Sequence, residues 1–143
     1  MPRRIAFSVG YEGRELDDFV ALLVRSGVER IVDVRALPLS RRRGFSKTPL
    51  KKALAARGID YVHLRDAGNP YRDLRDDPAR SLRLYEKYLD AHPAVLDDVE
   101  EALSERSAAL LCLEARPEHC HRSVISKKLG ARRPRWKITH LVD

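Results

Sequence analysis

The segment Ala108-Ala109-Leu110-Leu111-Cys112-Leu113 places six apolar residues in a row without a polar interruption. A strand with one wet face alternates apolar and polar side chains, whereas a strand covered on both faces by helices does not. This run therefore reads as a central parallel strand, and the remainder of the chain has to supply helices for both of its faces.

The remainder has that form. Ile5 to Gly10 reads as a first strand ending in glycine. Leu16, Phe19, Val20, Leu23 and Val24 then recur at helical spacing, with Gly27 as a stop. Glu29 to Val34 is a second strand, followed by an arginine-rich loop from Ala36 to Ser46 broken by Pro38 and Gly44. Thr48 as N-cap and Pro49 at the first helical position open a short helix that runs to Gly58. Ile59 to Leu64 is a third strand, and Asp66 to Asp77 a polar loop. Helices follow from Pro78 and, after Pro93, through Val95, Leu96, Val99 and Leu103. A helix from about Pro117 to Leu129 comes after the apolar strand, and Trp136 to Leu141 closes the chain as a strand. Strands alternating with helices imply the α/β class: a three-layer, mostly parallel open sheet of about five strands with helices on both faces. A chain of 143 residues fits a single α/β domain over residues 1–143. At that size folding buries roughly 70% of the unfolded surface, so a core forms without staples.

No apolar run reaches the roughly 18 residues of a membrane span. Met1-Pro2-Arg3-Arg4 leads into charge without an apolar signal region, and two cysteines make no disulfide framework. The expectation is a cytoplasmic protein with no membrane association and with free thiols. The net charge of +7 is unevenly spread. Arg41 to Lys52 holds six basic residues and no acid, and Arg116 to Lys137 holds eight against one. Between Asp60 and Arg106 acids outnumber bases twelve to seven. Basic blocks attract phosphates, nucleic acid or acidic proteins, or are simply a solvated surface.

Right-handed crossovers put every strand-to-helix loop of a parallel sheet at one edge, where ligands of open α/β sheets bind. Gly10-Tyr11-Glu12-Gly13-Arg14, Asp33 to Ser46, His63 to Tyr71 and Cys112 to Arg122 should meet there. The glycine-flanked turn permits close backbone approach and starts a helix whose N-terminus favours an anion, but it is neither a Walker loop nor a dinucleotide fingerprint. Asp33 and Arg35 lie on the same face of a strand, either as a structural salt bridge or as an acid and a positioned arginine facing the cleft. Arg41-Arg42-Arg43-Gly44-Phe45-Ser46-Lys47 combines charge, an aromatic ring, a glycine and a hydroxyl, which suits a phosphate-contacting loop.

Cys112-Leu113-Glu114-Ala115-Arg116-Pro117-Glu118-His119-Cys120-His121-Arg122 gathers both cysteines and two of the five histidines. Near a helix N-terminus and beside histidine and arginine, Cys120 would favour the thiolate. It could then act as a nucleophile with His121 or His119 as base. The alternative leaves His121 and Arg122 to bind an anion and Cys112 as a buried apolar residue. A metal could take Cys112, His119, Cys120 or His121, but the spacing matches no standard zinc motif, so neither a metal nor a cofactor is expected.

These motifs, in this order, resemble the bacterial family catalogued as domain of unknown function 488: Gly10 to Arg14, Val32 to Arg35, Gly44 to Lys47, Tyr61 to Leu64, Leu111 to Glu114, Cys120 to Arg122 and Trp136 to Leu141. The loop after the third strand, often leucine-glycine-glycine in that family, is here Asp66-Ala67-Gly68-Asn69-Pro70. The resemblance implies an α/β fold and a shared polar site, and it implies no activity. The expected partner is a phosphate-bearing small molecule or nucleic acid. Tyr11, Arg35, Arg43, Ser46, Lys47 and Arg122 would hold the anion, and Glu12, Asp33, Glu114, Cys120 and His121 would carry any catalysis. The competing readings are a non-catalytic nucleotide or nucleic-acid binder and a rhodanese-like sulfur carrier. The latter would lack the compact glycine-rich anion loop after its cysteine.

Overall fold

The computed structural model describes residues 4–74, 76–114, 120–132 and 134–141. Five strands, β1 (Ile5–Gly10), β2 (Arg30–Asp33), β3 (Asp60–His63), β4 (Ala108–Cys112) and β5 (Lys137–Leu141), form one sheet in the order β3-β2-β4-β1-β5. Every pairing is parallel, including Val9 with Leu111 and Val32 with Leu110. The apolar run is indeed central: all of β4 is buried, as a strand covered on both faces must be.

Residues of β4 alternate between two cores. Ala109 and Leu111 face α1 (Leu16–Arg25) and α2 (Lys47–Ala55), packing with Phe19, Leu23, Leu50 and Leu54. Ala108 and Leu110 face α3 (Pro78–Ala91), α4 (Pro93–Ser104) and α5 (Arg122–Ala131), packing with Tyr85, Val99 and Ile125. The result is the three-layer α/β arrangement. The period-2 alternation of a strand explains why two separate cores share one sheet. No helix among the described residues is long and apolar enough to cross a membrane.

The chain winds from β1 through β2 to β3 toward one edge, then returns across the sheet to β4 and β5. The outgoing connection of β1 leads to α1 on one face, and that of its neighbour β4 leads toward α5 on the other. Chain segments that part to opposite faces at adjacent strand ends leave a crevice between them.

Three local starts differ from the sequence reading. Helix α2 begins at Lys47 with Ser46 as N-cap, so Pro49 is its third residue. Proline is tolerated there because the first four N–H groups of a helix have no intrahelical partner. Helix α5 begins at Arg122, so Cys120 precedes it, and the expected start at Pro117 lies outside the described residues. The loop after β3 opens with a single 3-10 turn at Arg65–Ala67. Gly68 at its end lies so close to the chain after β2 that an added Cβ would fall 2.4 Å from Ala36 Cα.

Candidate functional site

The carboxyl ends of β1, β2 and β4 open into a cleft of about 820 Å³. Tyr11 enters it from β1, because the β1–β4 pairing continues past both strands: Tyr11 N–H donates to the Cys112 carbonyl (3.2 Å) and Glu12 N–H to that of Leu113 (2.8 Å). Val34 N–H donates to the Leu111 carbonyl (3.2 Å), which brings the Asp33-Val34-Arg35 turn alongside.

Asp33 is fully buried and Arg35 nearly so. Arg35 Nε and Nη2 grip the Asp33 carboxylate at 2.9 and 2.7 Å, Nη1 donates to the Phe45 carbonyl (2.6 Å), and Nη1 also lies 3.3 Å from Tyr11 Oη. The Tyr61 hydroxyl donates to Asp33 Oδ2. Burial, reinforced by Asp33, pushes the Tyr61 phenol well up. For Arg35, burial works the other way but the Asp33 carboxylate outweighs it and raises the guanidinium. The Tyr11 ring stacks on Phe45 at 4.6 Å and lies under the Arg35 guanidinium. The Asp33–Arg35 pair is thus an internal tie that carries the Phe45 loop.

Cys112, Glu114 and His121 form the floor of the cleft, together with Tyr11 and Arg35. His121 Nε2 lies 2.7 Å from the Val34 carbonyl. A carbonyl only accepts, so Nε2 carries the hydrogen and Nδ1 faces the two sulfurs: Cys112 Sγ at 3.5 Å and Cys120 Sγ at 3.6 Å. Cys112 Sγ donates to Glu114 Oε2 at 3.2 Å. The Arg122 amide donates to Cys120 Sγ at 3.5 Å. Tyr85, whose hydroxyl donates to the Ala67 carbonyl, meets the His121 ring in a T-shaped contact at 5.2 Å.

The charges in this cluster separate. Burial alone would raise the Cys120 thiol, but its contact with Cys112 and the charges of His121 and Arg122 hold it well below the ordinary thiol range. Burial pushes Cys112 well above that range, and the neighbouring anions add to the shift. Burial would lower the His121 imidazole, yet the Cys120 thiolate beside it raises it. Glu114 is raised by burial and then by the same thiolate.

The other anticipated residues lie elsewhere. Arg122 is fully buried behind the floor, donating to Ser8 Oγ (2.9 Å) and to the Glu114 carbonyl (2.5 Å), and its Nε has no partner among the described residues. Glu12 is exposed on its turn and does not line the cleft. Ser46 bonds back to Ser40 through its hydroxyl, which accepts from the Ser40 amide and donates to the Ser40 carbonyl. Arg43 and Lys47 are exposed on the loop and helix start, outside the cleft lining. His119, the second candidate base, lies outside the described residues.

Some residues at the site carried no warning in the sequence reading. Leu37 and Leu39, 56% and 69% exposed, form an apolar rim with Leu113, and Arg72 lines the cleft from the loop after β3. Two leucines flanking Pro38 in an otherwise charged loop were the available signal. Ser8, an isolated hydroxyl inside the apolar strand β1, was another: it meets both Arg122 and His140 Nδ1.

A family model described as domain of unknown function DUF488 matches residues 15–129. No match was found among curated proteins or among solved structures.

Proposed function

The chain belongs to the family described as domain of unknown function DUF488, and since that description assigns no activity, we propose one from the cleft: an enzyme acting on a phosphate-bearing ligand that also carries an apolar group. The observation that carries this reading is the convergence of Cys112, Glu114 and His121, from the end of one strand and the approach to one helix, on the floor of a single cleft. Buried thiols and an imidazole beside a half-buried carboxylate are costly to hold together and are grouped where reactions are run. Glu114 is the group placed to move a proton at the ligand, and the sulfur and imidazole atoms beneath it supply the reactive centre.

Leu37, Leu39 and Leu113 offer the apolar part of a ligand somewhere to rest. Arg72 is the cation at the cleft suited to its phosphate, since Arg35 and Arg122 direct their guanidinium groups at the protein's own oxygens. A sulfur carrier needs a thiol that a partner can reach, and Cys120 is only 1% exposed. Calorimetry with nucleoside mono-, di- and triphosphates at low salt tests the reading. Binding of at least one class is expected, weakened about tenfold in Arg72→Ala, because hydrogen bonds to charged groups contribute about 1.5–3 kcal/mol when well formed. Glu114→Gln should keep the affinity and lose turnover of the bound ligand. No binding across the panel, or turnover unchanged in Glu114→Gln, overturns it.

A second reading, nucleic-acid binding, is favoured by one observation: Arg41 and Arg43 on the loop that carries Leu37 and Leu39, and Lys47 at the start of α2, are all exposed. It predicts oligonucleotide binding that is lost in Arg43→Glu with Lys47→Glu and is indifferent to Arg72→Ala.

A further inference from the structure

Two sulfurs face His121 Nδ1, a nitrogen that can make only one hydrogen bond. With Nε2–H committed to the Val34 carbonyl, Nδ1 offers one lone pair in the neutral ring, or one N–H beside a Cys120 thiolate. Two sulfurs approach it at 3.5 and 3.6 Å, and one of them, Cys112 Sγ, already donates to Glu114. A thiol has one hydrogen, so Cys112 cannot serve Glu114 and Nδ1 together. Either way one of the two sulfurs is left without a bond to that nitrogen.

An ion at the centre satisfies all three donors. The Cys112, Cys120 and His121 ligand atoms lie within 4.8 Å of one another, and all three residues are buried. A tetrahedral zinc, with Zn–S of about 2.3 Å and Zn–N of about 2.0–2.1 Å, spaces its sulfur and nitrogen ligands about 3.6 Å apart. The two observed sulfur–nitrogen separations match that edge. Metal-bound histidine usually donates its other ring N–H to a carbonyl or carboxylate, which is the bond His121 makes with Val34. The Arg122 amide donates to Cys120 Sγ, as second-sphere amides do to bound thiolates. Two thiolates and an imidazole suit zinc better than the oxygen-seeking magnesium or calcium.

We propose that Cys112 Sγ, Cys120 Sγ and His121 Nδ1 bind one zinc ion whose fourth position opens into the cleft beside Glu114. Cys112, His121 and Glu114 line the cleft while Cys120 lies beneath it, so the uncommitted side of the site is the ligand side. Three protein ligands with an open fourth position characterise catalytic rather than structural zinc. There the ion would polarise a ligand oxygen or lower the pKa of a bound water, with Glu114 to take the proton. The spacing rules that speak against a metal in the sequence describe paired ligands on one hairpin. Here one ligand ends β4 and two precede α5, and the fold, not the spacing, joins them. The inference deepens the catalytic reading and rests on it for what the ion does, while the binding of the ion is a separate fact.

The test uses the full chain, purified under reductant without affinity tag or chelator. Elemental analysis should find about one equivalent of zinc. Cobalt(II) replacing it should give a thiolate-to-cobalt charge-transfer band and the intense visible absorption of tetrahedral coordination. Cys112→Ser and Cys120→Ser should each abolish the band and weaken zinc by more than about 100-fold, the loss of a ligand exceeding that of a second-sphere partner. Glu114→Gln should retain the ion, which separates loss of metal from loss of turnover. Because buried-cysteine variants can fail to fold, the wild-type cobalt spectrum stands as the deciding measurement. Zinc should also protect both wild-type thiols from iodoacetamide. A wild-type chain that takes up no stoichiometric cobalt, or a charge-transfer band that survives in the Cys112→Ser/Cys120→Ser double variant, overturns the metal site. The first result with rapid alkylation of the thiols would leave the catalytic reading standing as metal-free thiol chemistry.

Discussion

The guanidinium of Arg35 is saturated by the molecule's own groups: the Asp33 carboxylate, the Phe45 carbonyl and the Tyr11 hydroxyl. The sequence places Asp33 and Arg35 on one strand face, and that much is legible from a period of 2. Whether the arginine meets its neighbour or an incoming anion depends on where Phe45 comes to rest, ten residues further along, which no local pattern encodes. The consequence is testable. Arg35→Ala leaves Asp33 buried without its counter-charge, so the variant should lose about 3–5 kcal/mol in urea unfolding. Arg35→Lys should recover little of it, because a lysine cannot reproduce the two-pronged grip on Asp33 while also reaching the Phe45 carbonyl. A loss below about 1 kcal/mol would mean that the tie is not structural. The cysteines carry a similar lesson. Cys112 closes an apolar strand and can be read there as one more apolar residue; the approach of Glu114 and of Cys120 and His121, just before α5, gives its sulfur a polar environment.

At the scale of elements, the strand boundaries follow the sequence to within a residue. Apolar runs bounded by glycine, proline and charge define them, and all five are stabilised by neighbours rather than by local choice. The loops are less legible because their positions depend on close contacts between segments distant in sequence. Gly68 is the clearest instance. Its φ of −67° is open to any residue, so backbone freedom does not explain it. The contact with Ala36 does, since a methyl group would meet backbone 2.4 Å away. Gly68→Ala should therefore push the β3 loop from the β2 loop, widen the cleft they share and cost about 1–3 kcal/mol by overpacking. Thermal unfolding together with nucleotide affinity checks it, and unchanged values in both would refute the contact. At the opposite end of the same strands, Arg30 pairs with Asp60 at 2.7 Å. Burial pushes the Asp60 carboxyl up, but the Arg30 hydrogen bond and charge outweigh it and hold the group below its usual 3.8. A carboxyl depressed in the folded state adds stability above its unfolded pKa, and that stability disappears as pH falls through the folded value. Asp60→Asn should accordingly destabilise at pH 7 and converge with the wild type as the pH falls below the folded-state pKa of Asp60. With Asp60 40% exposed, the difference should be at most about 1 kcal/mol.

For the molecule as a whole, the two basic blocks in the sequence part company once folded. In the second, Lys127 and Lys128 pair with Glu86, Lys128 also with Asp90, and Arg132 with Asp97, while Arg122 is buried. The acidic middle of the chain, on α3 and α4, therefore lies against the basic C-terminal part and offsets it. Among the described residues the first block meets no such cover. Arg42 pairs with Glu15, but Arg41, Arg43, Lys47, Lys51 and Lys52 are exposed on α2 and the loop before it. The exposed cations of the first block are thus gathered on α2 and the loop before it, an arrangement that composition alone cannot reveal. If this face attracts polyanions, binding should fall with salt by about 0.9 in log K per decade of salt for each phosphate neutralised. Lys47→Glu with Lys51→Glu should lower both the affinity for duplex DNA and that slope. Arg132→Ala, which removes a cation already facing Asp97, should change neither. Fluorescence anisotropy across a salt series decides between them. Equal losses in the two variants would show that the attraction follows net charge and not this face, and the α2 surface would then have no special part in whatever reaches the cleft.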